Sequence, residues 1–316
     1  MQVTDGIINV NKTAGWTSQD VCSKLRHVLH TKKIGHTGTL DPMATGVLPV
    51  CIGKATRIIE YYDRDRKSYH AEMKLGIETD TLDITGEVLE THAYPDVSEN
   101  AVREAFKAYT GEIMQVPPKY SALKVDGKRA YDLARAGADF EIKPRPVTIY
   151  NNEVSRIDLE EGIIEFDVTC SKGTYIRTIC DDIGRALGCG AAMTVLERTA
   201  SGFFRIEDSY TLDEIIEAAA ADEAEAGKED SLSDGEGSQL KRMIIPADIT
   251  LENLGMIRLN DNRVTAFMNG NSSWPNGFRV TEPSRFNELY RVYSNDAFLG
   301  VAAIENGSLI PKKVIK

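Results

Sequence analysis

The order of apolar and polar positions along the chain predicts a mixture of strands and helices. Residues 6–10 form an apolar run typical of a buried strand, and residues 67–75 alternate as in a strand with one buried face. Thr17 and Asp20 have the spacing of a helix start, which predicts a helix reaching roughly to His30. Similar patterns predict helices at 55–62, 98–109, 178–187 and 260–269, and strands at 147–158, 163–170, 290–293, 298–304 and 309–314. The fold class predicted is α/β (α+β).

The character of the chain changes twice in its second half. The segment 218–240 is rich in acids, Ala, Gly and Ser, so we expect a solvated, flexible insertion that buries too little apolar surface to order itself. From about Pro246 onward, short strand-like stretches indicate a small separate β-domain. We therefore expect a first domain over residues 1–246 and a second over residues 247–316.

Composition and charge restrict the classes of function. Of the 316 residues, 42% are hydrophobic and 27% are charged, and no apolar run approaches the length of a membrane span. The first residues lack the regions of a signal peptide, so we expect a cytoplasmic protein. The net charge of −11 argues against a nucleic-acid partner, but the acids cluster in residues 222–236. A local basic cleft is compatible with such a chain, so net charge alone does not decide the matter.

The sequence indicates neither a metal site nor a nucleotide site. The five cysteines are scattered, without a Cys-x-x-Cys pair, and the five histidines have no metal-ligand spacing, so we expect reduced thiols and no metal. The acid-rich stretch 79–86 lacks the residue order of a calcium loop and is interpreted as a solvated turn. Gly46 and Gly53 are too far apart for a phosphate loop.

The main candidate for chemistry is Asp41, in the Gly-, Thr- and Pro-rich stretch 35–46. No second acid lies within several residues, so paired-carboxylate catalysis is not indicated here. A fixed, partly desolvated Asp suits nucleophilic or electrostatic work on an electron-poor carbon. Pro42 removes a backbone donor and restricts Asp41 to extended conformations. Considered alone, an Asp-Pro pair more often marks an ordinary turn.

The surrounding residues make this stretch specific. They match the pattern His-x-Gly-x-Leu-Asp-Pro-x-Ala-x-Gly at His36, Gly38, Leu40, Asp41, Pro42, Ala44 and Gly46. This string resembles the active-site motif of the TruB-type tRNA pseudouridine(55) synthases, whose Asp is the catalytic residue. The resemblance implies that Asp41 is catalytic and that His36 occupies or orders the space near the target nucleotide.

Further motifs of the same family follow in the family's order. Residues 12–18 are similar to its first motif, Lys-Pro-x-Gly-x-Thr-Ser, except that Thr13 stands where the family has Pro. Residues 117–122 match its Pro-Pro-x-Tyr-Ser-Ala segment, and residues 170–178 and 196–204 match two later motifs.

These motifs imply four further site residues. By this resemblance, Tyr69 stacks on the target base and Tyr175 lines the uridine pocket. Leu196 forms an apolar wall of that pocket, and Arg177 pairs with Asp41.

The resemblance also implies an architecture and a reaction. We expect a pseudouridine synthase fold with a central mixed or antiparallel sheet flanked by helices, plus a small C-terminal PUA-like β-barrel. The implied reaction isomerises uridine to pseudouridine at position 55, in the T-loop of tRNA, after the base is flipped out. Attack at C1′, addition at C6 and a glycal route all remain open. The implied partner is the T-arm of tRNA. We expect a monomer that needs no cofactor, no membrane and no obligatory protein partner.

Two alternative functions remain. One is an RNA-binding or RNA-folding protein for which catalysis is incidental, although the intact Asp41 and Arg177 argue against it. The other is a guide-RNA-dependent synthase of the same superfamily. The compact length and the lack of partner-binding extensions favour a stand-alone enzyme.

Overall fold

The computed structural model describes residues 5–62, 66–226, 238–285 and 288–315. Its α-helices, α1 to α8, span Ser18–Val28, Ile59–Tyr62, Glu99–Ala108, Ala130–Arg135, Ile176–Ala186, Leu212–Ala226, Gln239–Met243 and Val264–Met268. Its strands, β1 to β20, span Gly6–Lys12, Ile34–His36, Thr45–Ile52, Lys67–Leu75, Ile77–Thr79, Val88–Thr91, Gly111–Gln115, Lys124–Val125, Lys128–Arg129, Arg145–Asp158, Ile163–Cys170, Ala191–Ser201, Phe204–Arg205, Tyr210–Thr211, Ile244–Ile245, Gly255–Leu259, Phe278–Glu282, Leu289–Ser294, Ala297–Glu305 and Ser308–Val314. Short 3₁₀ helices lie at Gly53–Ile58, Ile206–Asp208, Ile249–Leu251, Asp261–Arg263 and Pro275–Gly277.

The chain divides into two compact units. The first unit comprises Met1–Pro42, Val47–Arg64 and Gly202–Lys316, and the second comprises Met43–Gly46 and Asp65–Ser201. The chain therefore changes unit directly after Asp41 and Pro42. Among the described residues, no helix has both the length and the apolar character needed to cross a membrane.

In the first unit, the predicted strand at 6–10 is confirmed as β1. It pairs in parallel with β14 and antiparallel with β15, while β2 pairs antiparallel with β3. Helix α1 begins after Thr17, where the Thr17 and Asp20 side chains each accept a hydrogen bond from the other residue's backbone N–H. This reciprocal cap satisfies two N–H groups that the first turn leaves unbonded, which is why the local sequence predicts the start of the helix.

The C-terminal strands of the first unit form a five-stranded sheet in the order β17-β16-β18-β19-β20. Buried residues on α8 and on this sheet form a small core of their own, including Ile257, Phe267, Val292 and Leu309. The predicted C-terminal β-module is thus confirmed. In the described residues its sheet is open, because β17 and β20 each pair with one neighbour in the strand order.

The C-terminal module also shares a core with the N-terminal strands. One cluster of buried apolar side chains contains Ile7, Val47, Cys51, Ile58 and Tyr62 from the beginning of the chain together with Leu251, Leu254, Leu289, Val301 and Ala303 from its end. The hydroxyl of Tyr62 also donates to the carbonyl of Ala247, at 3.0 Å. This packing explains why both ends of the chain belong to one compact unit.

The second unit is built on an antiparallel sheet in the order β12-β4-β11-β10-β7. The predicted strand at 67–75 and the predicted pair at 147–158 and 163–170 are confirmed as β4, β10 and β11. The first residues of β3 run parallel to β12, where Thr45 and Gly46 face Glu197 and Arg198. Parallel and antiparallel pairs thus occur together, as expected for the predicted mixed sheet.

The prediction of a disordered insertion is wrong for its first part. Helix α6 continues to Ala226, and Ala218, Ala219 and Asp222 on it are buried. The Asp222 carboxylate accepts hydrogen bonds from the Ser238 hydroxyl and from two backbone N–H groups at the start of α7. Packing of the Ala-rich face and this buried cap order the helix in spite of its acidic composition. Residues 227–237 lie outside the described residues.

Candidate active site

Asp41 lies in the loop between β2 and β3, and its two neighbours in the chain are fixed by hydrogen bonds. The Leu40 N–H donates to the Ser18 hydroxyl at 2.8 Å, and that hydroxyl donates to the Leu40 carbonyl at 3.1 Å. On the other side, the Gly15 N–H donates to the Pro42 carbonyl at 2.8 Å. Contacts on both sides therefore set the backbone position of Asp41, whose side chain is half-buried.

Lys12 completes this clamp from the end of β1. Its side chain is 1% exposed, and its ammonium group donates to the carbonyls of Thr13, Trp16 and Pro42 at 2.9, 2.8 and 3.2 Å. An ammonium group is costly to bury unless its three donors are satisfied, and these carbonyls compensate for the lost water. The first motif of the sequence thus builds the support of the Asp41 loop.

His36 is the last residue of β2, paired with Val50 of β3, and its side chain is half-buried. Asp41 follows it by five positions, in the loop after β2, and both residues belong to the first unit. Gly46, at the far end of the motif, has φ +93°, and a Cβ there would collide with the Arg198 carbonyl. A glycine is therefore required at this position, where β3 approaches β12.

Tyr69 and Leu196 lie on neighbouring strands of the second unit. Tyr69 on β4 faces Arg198 on β12, and Leu196 faces Ala71, so the four side chains lie on the same face of the sheet. Tyr69 is 8% exposed and Leu196 is 7% exposed. Arg198 is fully buried, and burial lowers the pKa of its guanidinium while a hydrogen bond with Tyr69 opposes that shift.

Arg177 is the second residue of α5 and is buried. Its guanidinium donates to the Thr81 carbonyl at 2.8 Å and to the Tyr120 carbonyl at 3.1 Å. It also forms an ion pair with Asp83, with 3.4 Å between Nη1 and Oδ2. These three contacts fix the plane of the guanidinium.

Asp83 corrects the interpretation of stretch 79–86 as a solvated turn. The stretch does turn, but Asp83 is 4% exposed. Its Oδ1 accepts hydrogen bonds from the Thr81 hydroxyl at 3.0 Å and from the Thr85 N–H and hydroxyl at 3.0 and 2.5 Å. Its other oxygen faces Arg177. A solvated turn does not require a buried carboxylate with this many hydrogen-bond partners. We therefore assign Asp83 a role in positioning the guanidinium of Arg177.

Tyr175 immediately precedes α5 and is held by residues that the sequence did not single out. The side chain of Gln115, on β7, accepts from the Tyr175 N–H at 2.8 Å and donates to its carbonyl at 3.0 Å. The Arg145 guanidinium carbon lies 5.3 Å from the centre of the Tyr175 ring. The signal that could have indicated Gln115 is its position two residues before Pro117, where the Pro-Pro segment begins.

The structure thus brings together some of the predicted site residues within each unit. In the first unit, His36 ends β2 and Asp41 lies in the loop that follows it. In the second unit, Tyr69 and Leu196 share one face of the sheet. Tyr175 and Arg177 share the start of α5 in the second unit. The pairing of Arg177 with Asp41 stays a prediction.

Three family models match consecutive parts of the chain. They are described as TruB family pseudouridylate synthase (N terminal domain) over residues 26–176, tRNA pseudouridylate synthase B C-terminal domain over 177–252, and Pseudouridine synthase II TruB, C-terminal, over 256–315.

Similar proteins extend this match over almost the whole chain. The tRNA pseudouridine synthase B of Clostridium perfringens strain 13 is 40% identical over 99% of both chains, and that of Clostridioides difficile is 41% identical over 94% of both. Among solved structures, a Cbf5-Nop10-Gar1 complex contains a chain with a TM-score of 0.76 and 27% identity, covering 98% of this chain and 85% of that chain. An H/ACA RNP bound to a substrate RNA containing 2′-deoxyuridine gives a TM-score of 0.74 at 25% identity, with the same coverage. The pseudouridine synthase fold is therefore confirmed, and the chain belongs to the TruB family of pseudouridylate synthases.

Proposed function

We propose that this chain isomerises uridine to pseudouridine at position 55, in the T-loop of tRNA, as a stand-alone enzyme in the cytoplasm. The observation that carries the proposal is the clamp around Asp41, in which Lys12, Gly15 and Ser18 fix the backbone on both sides of one carboxylate. Such rigid support is what a nucleophile needs to be held in a productive geometry. The family's relatives named tRNA pseudouridine synthase B support the choice of substrate.

In this proposal Asp41 is the catalytic residue. A uridine in a folded loop is stacked, so it must be flipped out before its glycosidic bond can be reached. Asp41 then acts by attack at C1′, by addition at C6 or by removal of the 2′ proton, and these three routes remain open. In each route the N1–C1′ bond breaks and the base rotates. C5 then bonds to C1′, while the proton on C5 is lost and N1 gains one, so the reaction is an isomerisation.

The residues of the second unit hold the base in this scheme. Tyr69 stacks on the uracil, and Tyr175 and Leu196 line its pocket, because bases from RNA loops are recognised by stacking and by shape. Arg177 pairs with Asp41, and its planar fork favours the charged carboxylate and fixes its orientation. His36 orders the space near the flipped nucleotide.

We assign the chemical step to residues 1–246 and additional RNA binding to residues 247–316. Phosphate contacts from a second RNA-binding surface would raise affinity without taking part in the chemical step. No cofactor or metal is required by the reaction as written, since no electron or group is transferred to another molecule.

A reconstitution experiment tests the proposal. The purified chain is incubated alone with an unmodified T-arm transcript, and pseudouridine is measured in a single turnover at saturating enzyme. We expect conversion at position 55 by the wild type and no detectable conversion by Asp41→Asn, which keeps the shape of the side chain but removes the nucleophile. The variant should still bind the transcript.

The same experiment separates the alternatives. The similarity to chains from H/ACA complexes favours a guide-dependent enzyme as the second candidate. Product formed only after a guide RNA or another protein is added would favour that candidate. Binding without product under every condition would favour an RNA-binding protein, and conversion by Asp41→Asn near the wild-type rate would refute the role of Asp41.

A further inference from the structure

The backbone of Tyr175 is held by one side-chain amide. Gln115 Oε1 accepts a hydrogen bond from the Tyr175 N–H at 2.8 Å, and Gln115 Nε2 donates to the Tyr175 carbonyl at 3.0 Å. Gln115 is fully buried, so water does not replace either bond readily when the amide is lost. The side-chain amide of Gln115 thus bonds both the backbone N–H and the backbone carbonyl of Tyr175, as a neighbouring β-strand would.

This contact lies at the start of helix α5. Tyr175 is the N-terminal cap of α5, with φ −103° and ψ 112°, and its own side chain makes no capping hydrogen bond. Its carbonyl already accepts the first bond of the helix, from the Ile179 N–H at 3.3 Å. The amide of Gln115 therefore fixes the orientation of the peptide groups from which the Tyr175 side chain projects.

A second residue of the same strand pair acts on the ring itself. Arg145 on β10 is directly opposite Gln115 on β7. Its guanidinium lies 5.3 Å from the centre of the Tyr175 ring and also donates to the Gly173 carbonyl at 2.6 Å. Two facing residues of one strand pair thus hold the backbone and the ring of Tyr175.

We propose that Gln115 is a positioning residue of the reaction, which acts by setting the place of the Tyr175 ring in the uridine pocket. This inference rests on the proposed function for its consequence in catalysis, and on the described contacts for its geometry. A displacement of about 1 Å in a substrate-positioning group can reduce the rate by roughly a hundredfold. Gln115 itself touches neither the substrate nor the reacting atoms in this scheme.

Glutamine is the residue type that this position requires. Glutamate keeps the acceptor for the Tyr175 N–H, but when ionised it has no donor for the Tyr175 carbonyl. Methionine has a similar length and no strong hydrogen-bonding group. The variants Gln115→Glu and Gln115→Met therefore remove one bond and both bonds, respectively, with small changes of volume.

The first measurement concerns the free protein and does not depend on catalysis. Hydrogen exchange of the Tyr175 amide reports its bond to Gln115, because an amide exchanges only when its hydrogen bond opens. We expect Gln115→Met to exchange at Tyr175 at least about tenfold faster than the wild type, with the amides of β4 and β11 unchanged. Unchanged exchange at Tyr175 would overturn the proposed geometry.

The second measurement is single-turnover conversion of a saturating T-arm transcript. We expect a rate loss of roughly ten- to a hundredfold in Gln115→Met, with the dissociation constant for the transcript changed much less. In a Tyr175→Ala background the same substitution should have little further effect, since residues that act through one group are not additive. A full additional loss in that background would show that Gln115 acts by another route and would refute the proposal.

Asn152→Leu is the matched control for a merely structural amide. The Asn152 side chain, on β10, donates to the carbonyls of Phe106 and Tyr109 at the end of α3, at 3.2 and 3.5 Å. Its loss should lower the melting temperature without slowing Tyr175-dependent chemistry. If Asn152→Leu and Gln115→Met lowered the melting temperature equally and also lost the same fraction of the rate, the effect of Gln115 on the rate would be explained by stability alone, and the proposed positioning role would be refuted.

The Gln115→Glu variant adds a pH test. Burial raises the pKa of the introduced carboxyl group, and the Arg145 guanidinium on the facing residue acts in the opposite direction. Below the pKa that results, the protonated carboxyl can donate to the Tyr175 carbonyl as the amide does. The ratio of the variant's rate to the wild-type rate should therefore rise as the pH falls through that pKa, and a ratio that stays constant through it would contradict the proposed hydrogen bond. If the wild type makes no pseudouridine but Tyr175 exchange responds as expected, the proposed function fails while the assigned contact stands.

Discussion

At the scale of single residues, the site depends on buried polar side chains that fix other polar groups. Lys12 supports the Asp41 loop through three carbonyls, Asp83 holds Arg177, and Gln115 holds Tyr175. Motifs in the sequence predicted Asp41, Arg177 and Tyr175, because each lies in a continuous string of characteristic residues. The sequence did not predict that Lys12, Asp83 and Gln115 hold these residues in place.

The reason is that a support is defined by a contact between distant parts of the chain. The hydrogen bond of Gln115 to Tyr175 joins positions 60 residues apart, and that of Arg177 to Thr81 joins positions 96 apart. An Asp in an acid-rich turn and a Gln before two prolines are usually solvated. Only the fold shows that these side chains are buried.

The first prediction at this scale concerns Asp83. Asp83→Asn keeps the size of the side chain but leaves the buried guanidinium of Arg177 without its ion-pair partner, and such a loss typically costs about 3–5 kcal/mol. We expect a lower melting temperature and, because Arg177 loses its orientation, a slower single-turnover conversion at saturating substrate. Arg177→Lys keeps the charge and loses the planar fork, so it should also be slow.

The control for Asp83→Asn is an exposed ion pair of the same unit. Arg156 pairs with Glu165 at 2.9 Å, with the Arg156 side chain 55% exposed. Glu165→Gln should therefore change the melting temperature little and leave the rate unchanged. If Asp83→Asn behaved like Glu165→Gln in melting and in turnover, the support assigned to Asp83 would be refuted. A fully active Arg177→Lys would remove the geometric argument for the arginine.

At the scale of elements, local signals predicted helix starts well. Thr17 with Asp20 forms the reciprocal cap that its spacing predicts, because a cap involves residues only three positions apart, and Thr211 with Glu214 forms the same kind of cap in the structure. The flexibility expected from residue 218 onward was wrong for the part of α6 that reaches Ala226. Its burial depends on packing and on the distant cap at Asp222, which composition does not report.

The second prediction follows from this correction. Replacement of residues 227–237 by a short Gly-Ser linker should leave turnover and melting temperature near wild type. Deletion of the whole segment 218–240 should lower the melting temperature strongly, because it removes buried Ala218, Ala219 and Leu240 and the Asp222 cap. Thermal melting and single-turnover assays of both variants check this. A stable protein after the longer deletion would show that α6 and α7 are dispensable.

The third prediction concerns the charge on α5. Burial, together with the neighbouring Asp181, raises the pKa of Asp182 from 3.8 to about 6. Because the folded protein holds this proton more tightly than the unfolded chain does, stability is greatest below the ordinary pKa and falls as the pH rises through about 6. Asp182→Asn should therefore raise the melting temperature at neutral pH, and the gain should disappear as the pH approaches the ordinary pKa.

Melting curves across this range of pH check the prediction for Asp182. Asp139, in an exposed loop of the same unit, provides the control, and Asp139→Asn should leave the melting temperature near the wild-type value. A gain for Asp182→Asn that is constant with pH would contradict an effect of ionisation.

At the scale of the whole molecule, the sequence located a C-terminal β-module but could not show how it is attached. Its residues Leu251, Leu289 and Val301 share a buried cluster with Ile7 and Val47 of the N-terminal strands. Removal of residues 247–316 would therefore expose the apolar core that the module shares with β1 and β3 as well as remove the module. A truncated chain should be unstable, so it cannot measure RNA binding separately from folding.

The last prediction tests RNA binding by the module with surface substitutions that leave this core intact. Trp274 is 71% exposed, and Arg279 on β17 is also exposed. An exposed aromatic ring stacks on RNA bases for about 1–3 kcal/mol each, and a phosphate contact contributes to the salt dependence of binding. Trp274→Ala should weaken tRNA binding several-fold, and Arg279→Ala should reduce the slope of affinity against salt by about one counterion. Both variants should convert a saturating substrate at the wild-type rate, because saturation removes the effect of weaker binding on the measured rate.

Val280→Ala, on the same strand as Arg279, is the matched control and should change neither quantity. Wild-type affinity and salt slope in both variants would mean that Trp274 and Arg279 do not contact tRNA, and a slower chemical step at saturation would mean that they contribute to catalysis.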